Sequence, residues 1–191
     1  GGVESMSRAP FVMGKAETAY SREAKIYDTT IGSRFPNKKL IAQYGGHSMP
    51  ETGDNVAVEF GITREQADLF AAQSQAKYQT AKQDGFFTGE ITPIEVFQGK
   101  KLPPKLVSED EHPRPSSTVE ALTKLKPLFE GGVVTAGNAS GINDGAAALL
   151  IGSEAAGQKY GLKPMAKILS AAAAGIEPRI MGAGPIEAIK K

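Results

Sequence analysis

The chain has 191 residues and a formal net charge of +1, with 22 Lys and Arg against 21 Asp and Glu. It contains 22 Gly and 12 Pro but no Cys and no Trp. Without cysteine, these residues cannot form a disulfide scaffold, a Cys-based zinc or iron–sulfur site, or a thiol nucleophile. The balanced charge gives no support to a broad nucleic-acid surface, and the 40% of hydrophobic residues argues against wholesale disorder.

No membrane span or targeting signal is evident in the sequence. The longest apolar run, 146–151, is far shorter than the roughly 20 residues of a membrane helix. The first residues lack the basic stretch and apolar core of a signal peptide. We therefore expect a soluble, cytoplasmic protein with no membrane or nucleic-acid partner. Both ends look abrupt, since Gly1 is not an initiating Met and Lys191 follows a short helical pattern, which favours a piece of a longer chain.

The first 60 residues are rich in glycine and turn signals. Residues 1–5 predict the end of a buried strand. Residues 12–45 show no sustained periodicity, which is typical of an ordered excursion from the core, because long structureless loops in compact domains tend to be functional. A short helix is expected over 51–60, with Gly61 as its stop.

The strongest helix prediction covers residues 64–84. Thr63 is a plausible N-cap, and Gln66 three residues later completes a capping box. Gly85 suits the left-handed conformation that ends many helices. A 3–4 spacing marks one weakly apolar face of this helix, formed by Ala67, Phe70, Ala71, Ser74, Tyr78 and Ala81.

The middle of the chain alternates short elements with a charged, proline-rich stretch. Residues 90–97 alternate apolar and polar side chains and predict a strand, which Pro93 restricts to an edge or a bulge. Residues 98–117 are typical of a surface loop or linker. Thr118 predicts the cap of a short helix through Leu125, which Pro127 ends.

The last third predicts a layered α/β core. The apolar run 146–151 suits a fully buried strand, and Ser153 predicts the cap of a helix that ends at Gly161. Residues 165–173 predict another strand, before a loop and a final short helix. This alternation of strands and helices is typical of α/β architecture.

Few side chains stand out as catalytic candidates from their type alone. His47 and His112 are each compatible with a surface role or a functional one, and no metal site is expected from two histidines without cysteine. Ser5, Ser7 and Ser140 could act as nucleophiles, but none lies in a Gly-x-Ser-x-Gly motif. The hydroxyl of Ser140 is equally compatible with a turn or cap hydrogen bond.

Two further clusters leave a choice between a structural and a binding role. Arg114 lies near several lysines, and such a cluster is either solvated or meets a phosphorylated ligand. Glycines crowd the region before 146–151, which indicates close backbone packing or a ligand along exposed amides, but no phosphate-binding motif is present. These glycines are Gly131, Gly132, Gly137, Gly141 and Gly145.

Four stretches together resemble the thiolase family in order and spacing, over essentially all 191 residues. They are Gly-Gly-Val-Glu-Ser-Met-Ser-Arg-Ala-Pro at 1–10, Ser-Met-Pro-Glu-Thr-Gly-Asp-Asn-Val-Ala at 48–57, Thr-Ala-Gly-Asn-Ala-Ser-Gly-Ile-Asn-Asp-Gly-Ala-Ala-Ala at 135–148 and Gly-Ile-Glu-Pro-Arg-Ile-Met-Gly-Ala-Gly-Pro at 175–185. Residues 11–15 and 28–32 look most like the branch that acts on 3-oxoadipyl-CoA in aromatic-compound degradation. Ser33 stands where that branch is expected to have Trp.

The resemblance implies an acyltransferase that makes or breaks a carbon–carbon bond between acyl groups carried on coenzyme A. In the family a Cys is acylated and then passes the acyl group on, a second Cys acts as acid and base, and a His with an Asn-held water forms an oxyanion site. By resemblance these groups lie outside the 191 residues. We therefore expect no catalytic residue in this segment, no activity of this chain alone and no cofactor, with coenzyme A as a substrate.

The implied fold is α/β, part of the layered βαβαβ thiolase fold with an inserted α+β loop domain. By resemblance the chain is the middle of a thiolase. Residues 1–11 would end the N-terminal half, and 12–130 would form the loop domain. Within that domain, residues 12–35 match an arm that joins dimers into homotetramers. Residues 131–191 would return to the core and open the C-terminal half.

The resemblance also implies a coenzyme A surface. Arg114 matches a basic residue at the adenine and phosphate end of the ligand, for which a guanidinium is suited. Ser140 matches a residue that hydrogen-bonds the pantetheine arm, and Ala136 lies alongside it. Phe129 and Leu40 match apolar contacts on the same ligand.

Two neighbouring residues match positions at the acyl group. Met49 matches a side chain that faces the acyl pocket, where a thioether adapts to varied shapes. Ser48, rather than His47, falls at the adjoining position, where some biosynthetic members carry a His. An alternative hypothesis is a non-catalytic protein on a thiolase-like fold that binds acyl-CoA or acts as a scaffold.

Overall fold

The computed structural model describes residues 1–32 and 34–191, so Ser33 and its expected Trp position lie outside the described residues. The chain divides into two compact units. The first unit comprises Gly1–Glu59 and Ile142–Lys191, and the second unit comprises Phe60–Gly141.

Short strands and helices alternate along the described chain. The strands are β1 (Gly2–Glu4), β2 (Phe11–Met13), β3 (Ile26–Asp28), β4 (Ile94–Val96), β5 (Lys105–Val107) and β6 (Gly145–Ala147). The helices are α1 (Lys38–Tyr44), α2 (Met49–Phe60), α3 (Arg64–Gln83), α4 (Val119–Leu122), α5 (Glu154–Tyr160) and α6 (Gly184–Ile189). Single 3₁₀ segments occur at Met6–Arg8, Phe86–Gly89 and Pro178–Ala183.

The strands pair as antiparallel two-stranded ribbons. In the first unit, β1 pairs with β6, and β2 pairs with β3. In the second unit, β4 pairs with β5. The register of the β1–β6 ribbon places Val3 opposite Ala146, so residues 143 positions apart in the chain become neighbours.

The prediction for the longest helix is confirmed. The Thr63 hydroxyl oxygen accepts a hydrogen bond from the Gln66 N–H, and the Gln66 side chain accepts one from the Thr63 N–H, which completes the capping box. Gly85 follows the helix with φ +73°, a left-handed conformation that glycine adopts without a Cβ clash. Local hydrogen bonding therefore sets both ends of α3.

The other helix signals are also confirmed. Gly61 follows α2 with φ +63°, and Gly161 follows α5 with φ +66°. The Thr118 and Ser153 hydroxyl oxygens accept hydrogen bonds from backbone N–H groups at the starts of α4 and α5. The α4 helix is shorter than expected, because it ends at Leu122 and not at Leu125.

The strand predictions are confirmed only in part, and the burial expected for the strands is wrong. Residues 145–147 form β6, but 148–151 are not in a strand, and all of 146–151 are exposed. Strand β1 is exposed along its whole length. The expected strand over 165–173 is wrong, since these residues lie outside any element and are exposed. For β1 and β6 the reason is that, within the described residues, their two-stranded ribbon has no layer covering either face.

Buried residues are few and are divided between the units. In the first unit, side chains of α2 contact the 3₁₀ segment Pro178–Ala183. The Asn55 side chain donates a hydrogen bond of 3.0 Å to the Arg179 carbonyl, and Arg179 forms an ion pair of 2.8 Å with Glu59. In the second unit, the buried residues are Leu122, Asp68 and Thr135. No helix in the described part of the chain is long and apolar enough to cross a membrane.

Candidate functional site

The turn over residues 135–140 is held by its own polar side chains. Thr135 is fully buried, and its hydroxyl oxygen accepts hydrogen bonds from the N–H groups of Gly137 (3.2 Å) and Asn138 (3.3 Å). The Asn138 side-chain oxygen accepts from the Thr135 N–H at 2.7 Å. Ala136 and Ser140 are exposed. The turn therefore directs its polar anchors inward and leaves two small side chains facing solvent.

This turn packs against α3 and the end of α4, within the second unit. A Cβ on Gly137 would lie 2.5 Å from side-chain carbon atoms of both Leu122 and Leu125, so a larger residue here would force these two side chains to move. The Asn138 side chain donates a hydrogen bond of 3.0 Å to Asp68, which is fully buried on α3. Gly137 is thus closely packed, while a Cβ on Gly131 or Gly145 would meet no atom within 4 Å.

The loop that carries Arg114 is attached to the same helix. The Gln75 side chain on α3 accepts a hydrogen bond of 2.8 Å from the Arg114 N–H, and the Arg114 carbonyl accepts one of 3.0 Å from Ser117. The Arg114 side chain is exposed. Asp68 and Gln75 are seven residues apart, which is about two helical turns and about 10 Å along one face of α3. One helix face therefore anchors both the arginine loop and the 135–140 turn.

Phe129 lies in a tight loop between α4 and this turn. The loop is closed by hydrogen bonds from the Leu128 N–H to the Val134 carbonyl (2.9 Å) and from the Gly132 N–H to the Phe129 carbonyl (3.0 Å). The Phe129 side chain is 42% exposed, so it offers an apolar surface within the second unit. Four of the five predicted coenzyme A residues thus belong to the second unit.

The remaining predicted residues belong to the first unit. Leu40 is exposed on α1, and Met49 is exposed at the start of α2. Ser48 precedes that helix, where its N–H donates to a Glu51 carboxylate oxygen at 2.6 Å and its carbonyl accepts from Thr52 at 2.9 Å. Hydrogen bonding from Ser48 lowers the pKa of Glu51, so this carboxylate stays ionised at the helix start.

The two histidines have different surroundings. The side-chain nitrogen of Asn55 lies 3.5 Å from Nδ1 of His47, which ties this ring to α2. His112 is half-buried in the loop before Arg114. Within residues 1–32 and 34–191, no group of three or more His, Asp or Glu side chains is arranged to hold a metal ion.

Of the serine candidates, Ser7 has a defined structural partner. Its N–H donates a hydrogen bond of 2.8 Å to Asp144 Oδ1, and its hydroxyl donates to Asp144 Oδ2. These bonds, from the hydroxyl first and the N–H second, lower the pKa of Asp144. Ser7 therefore connects the 3₁₀ segment at Met6–Arg8 to the residues just before β6.

A family model of the thiolase N-terminal domain matches residues 1–155 of the chain. The chain belongs to the thiolase family. This confirms the family predicted from the sequence.

Known thiolases match the whole chain. The beta-ketoadipyl-CoA thiolase of Pseudomonas putida is 54% identical over 192 residues, which cover 100% of this chain and 48% of that protein. The chain thus spans about half the length of the curated relatives it matches.

Solved thiolase structures match the fold. The Bacillus anthracis acetyl-CoA acetyltransferase aligns with a TM-score of 0.86 at 37% identity, covering 100% of this chain and 47% of that one. Human mitochondrial 3-ketoacyl-CoA thiolase in complex with CoA aligns with a TM-score of 0.82 at 38% identity, covering 99% and 46%. The predicted α/β fold of the thiolase type is confirmed.

Sequence reasoning missed the polar residues beneath the site of this thiolase chain. Asp68 falls among the polar positions of α3, and it accepts hydrogen bonds from Arg64 at 2.7 Å and from Asn138 at 3.0 Å. The i, i+4 spacing of Arg64 and Asp68 was a visible signal of an ion pair. Nothing in the local pattern indicated that this pair would be buried against a turn 70 residues away.

Proposed function

We propose that the chain supplies the coenzyme A-binding surface of an acyltransferase that cleaves or forms 3-oxoacyl-CoA. One observation carries the proposal: α3 anchors the Arg114 loop and the 135–140 turn about two helical turns apart. An elongated ligand with a charged nucleotide end and a polar arm needs such a separation. The family supports this ligand, because a solved relative is in complex with CoA.

Each proposed contact has a chemical reason. The planar, always charged guanidinium of Arg114 stacks on an adenine ring and pairs with phosphate oxygens. The Ser140 hydroxyl donates or accepts a hydrogen bond along the pantetheine arm, while Ala136 leaves room for that arm. Phe129 and Leu40 add apolar contact with the ligand. These side chains bind and orient the ligand, and none of them carries out the bond-making step.

The chemical step requires a group that these residues do not supply. In the proposed ping-pong reaction a thiolate accepts the acyl group and then transfers it to coenzyme A, and the 191 residues contain no cysteine. We therefore expect the 191-residue polypeptide alone to show no thiolysis. Cleavage of a 3-oxoacyl-CoA by this polypeptide well above the buffer rate would contradict the proposal.

The finer substrate assignment is 3-oxoadipyl-CoA. It is supported by the 54% identity to a beta-ketoadipyl-CoA thiolase and by the resemblance over residues 11–15 and 28–32. Ser48 and Met49 are proposed to face the acyl group, and both lie where α2 begins. For the full product of the reading frame that contains these residues, kcat/KM for 3-oxoadipyl-CoA should exceed kcat/KM for acetoacetyl-CoA.

The assembly, location and domain assignments remain proposals. Residues 12–35 are proposed as a tetramer arm, which is supported by the β2–β3 ribbon and by exposed apolar side chains such as Met13 and Ile26. The domain boundaries at 11/12 and 130/131 stay predictions. The two compact units divide the chain at other positions, after Glu59 and after Gly141. The protein is proposed to be cytoplasmic, with acyl-CoA and coenzyme A as small-molecule partners.

The binding proposal is tested by Arg114→Ala in the full product of the reading frame that contains these residues. Isothermal titration calorimetry should show the Kd for coenzyme A rising by about tenfold, equal to 1.4 kcal/mol. The Kd for pantetheine, which lacks the nucleotide end, should not change. Lys101→Ala, in the loop before β5, serves as the control for loss of a positive charge. An unchanged Kd for coenzyme A in Arg114→Ala would overturn the role of this residue.

A non-catalytic acyl-CoA-binding or scaffold protein is the second candidate function. The absence of cysteine from all 191 residues is compatible with it, because such a protein would keep the ligand surface without the nucleophile. The two candidates differ in one measurement on the full reading-frame product. Thiolysis of 3-oxoacyl-CoA supports the enzyme, and coenzyme A binding without thiolysis supports the scaffold.

A further inference from the structure

Asp68 is a buried charge whose two oxygens are both engaged. Its side chain is fully buried on α3. Oδ2 accepts a hydrogen bond of 2.7 Å from Arg64 Nε, and Oδ1 accepts one of 3.0 Å from the Asn138 side chain. A carboxylate loses several kcal/mol of hydration on burial, so it persists only where charged and polar partners replace water. The contacts proposed for coenzyme A give this residue no role.

Arg64 holds one side of the carboxylate in place. Besides its bond to Asp68, its Nη2 donates to the carbonyl oxygens of Leu122 (2.8 Å) and Leu125 (2.9 Å). Leu122 is the last residue of α4, and its carbonyl also accepts a hydrogen bond of 3.0 Å from the Leu125 N–H, three residues further along the chain. The guanidinium therefore donates three hydrogen bonds, which fix its position and limit the rotation of the Asp68 carboxylate.

Asn138 links the carboxylate to the turn. Its side-chain nitrogen also donates to the Val133 carbonyl at 2.9 Å, and its side-chain oxygen accepts from the Thr135 N–H at 2.7 Å. Turning the amide over would place its NH₂ against the Thr135 N–H and its oxygen against the Val133 carbonyl. These two contacts, together with Asp68, allow one amide orientation.

We propose that Asp68 is a positioning residue for coenzyme A, which holds the Asn138 side chain against α3 and so holds the 135–140 turn with Ala136 and Ser140 presented to the pantetheine arm. This inference rests on the proposed function, since it needs coenzyme A at this turn. Asp68 itself touches no ligand. It acts from beneath the turn, through one side chain.

The substitution Asp68→Asn isolates this role because it preserves shape and removes one acceptor. An asparagine has one oxygen and one NH₂ group. Whichever way it turns, its NH₂ meets a donor, either Arg64 Nε or the Asn138 amide nitrogen. Because the Asn138 amide has one allowed orientation, the conflict must be relieved by movement of the turn or of Arg64.

The test measures binding of coenzyme A and of pantetheine to the full reading-frame product by isothermal titration calorimetry. Asp68→Asn should raise both Kd values by a similar factor, about tenfold for a lost charged hydrogen bond, with the number of sites unchanged. Arg114→Ala should raise the Kd for coenzyme A alone. Glu109→Gln removes an exposed carboxylate that pairs with Lys82 on the same helix at 2.8 Å, and should change neither Kd.

Several results would overturn the proposal. Unchanged Kd values in Asp68→Asn, or a change for coenzyme A without one for pantetheine, would exclude a role at the pantetheine arm. Fewer binding sites with an unchanged Kd would show a structural role only. If the wild type binds no coenzyme A, the proposed function itself fails. If the wild type binds and Arg114→Ala weakens binding, but Asp68→Asn does not, only the positioning role fails.

A second variant decides the matter if Asp68→Asn does not fold. Thr135→Val keeps the side-chain shape but removes the hydroxyl oxygen that accepts from the Gly137 and Asn138 N–H groups. It loosens the same turn without altering a charge. We expect a rise of a few-fold in both Kd values, and unchanged values would overturn the proposal.

Discussion

The second unit and the β1–β6 ribbon of the first unit differ in which side chains they bury. In the second unit, a buried carboxylate, Asp68, has a partner on each oxygen, and a fully buried Thr135 accepts from two N–H groups. In the ribbon region, Leu149, Leu150 and Ile151 are 73–84% exposed. Polar groups can be satisfied by one or two well-placed neighbours, whereas apolar side chains need a whole covering layer.

The largest expected difference between the two regions is the effect of removing a leucine side chain. Leu122→Ala should lower the free energy of unfolding by about 2–5 kcal/mol, because Leu122 is 3% exposed and its removal leaves a cavity. Leu150→Ala, at 83% exposure, should change it by less than about 0.5 kcal/mol. Urea unfolding followed by circular dichroism measures both. If the two variants lost equal free energy of unfolding, the comparison would be wrong, because Leu150 would then be buried in solution.

A smaller effect is expected at the cap of α3. Thr63→Ala should cost about 1 kcal/mol, because it removes the acceptor of the capping box. Thr80→Ala is the matched control on the same helix, where the hydroxyl donates only to the Ala76 carbonyl at an exposed position. Thermal unfolding should show a lower Tm for the first variant and little change for the second. A reversed order would mean that α3 is not stabilised at its start by local hydrogen bonding.

The smallest effect is expected at the exposed Ser7–Asp144 contact of the first unit. The folded-state pKa of Asp144 is lowered, so its stabilising effect is present above the ordinary Asp pKa of about 4. That effect is lost as the pH falls through the lowered folded-state value. Ser7→Ala should therefore destabilise the chain slightly at pH 6 and less at pH 2. Urea unfolding at both pH values checks the sign, and an equal or larger effect at pH 2 would contradict it.

Local signals in the sequence predicted the helices well. Thr63, Thr118 and Ser153 each cap a helix as expected, and Gly85 and Gly161 each end one. These predictions succeed because a cap or a left-handed stop depends on atoms within four residues of one another. The resemblance to thiolases was likewise confirmed, since it rests on four motifs read directly from the chain.

The strand predictions succeeded only in part, for a physical reason. The apolar runs 146–151 and 165–173 look like buried strands, but a strand is defined by its partner and is buried by a neighbouring layer. The structure gives β6 one partner, β1, and gives 165–173 none among the described residues. The contact between Asp68 and Asn138 could not be predicted from the sequence either, because no local pattern connects residues 70 positions apart.

The sequence by itself determined the family, the caps and stops of the helices, and the absence of a thiol from these 191 residues. The tertiary structure decided that α3 anchors both the Arg114 loop and the 135–140 turn, and that Asp68 lies beneath that turn. The physical reason is the range of the interactions. Hydrogen bonds within a turn are encoded by neighbouring residues, whereas burial and long-range pairing exist only once distant parts of the chain are brought together.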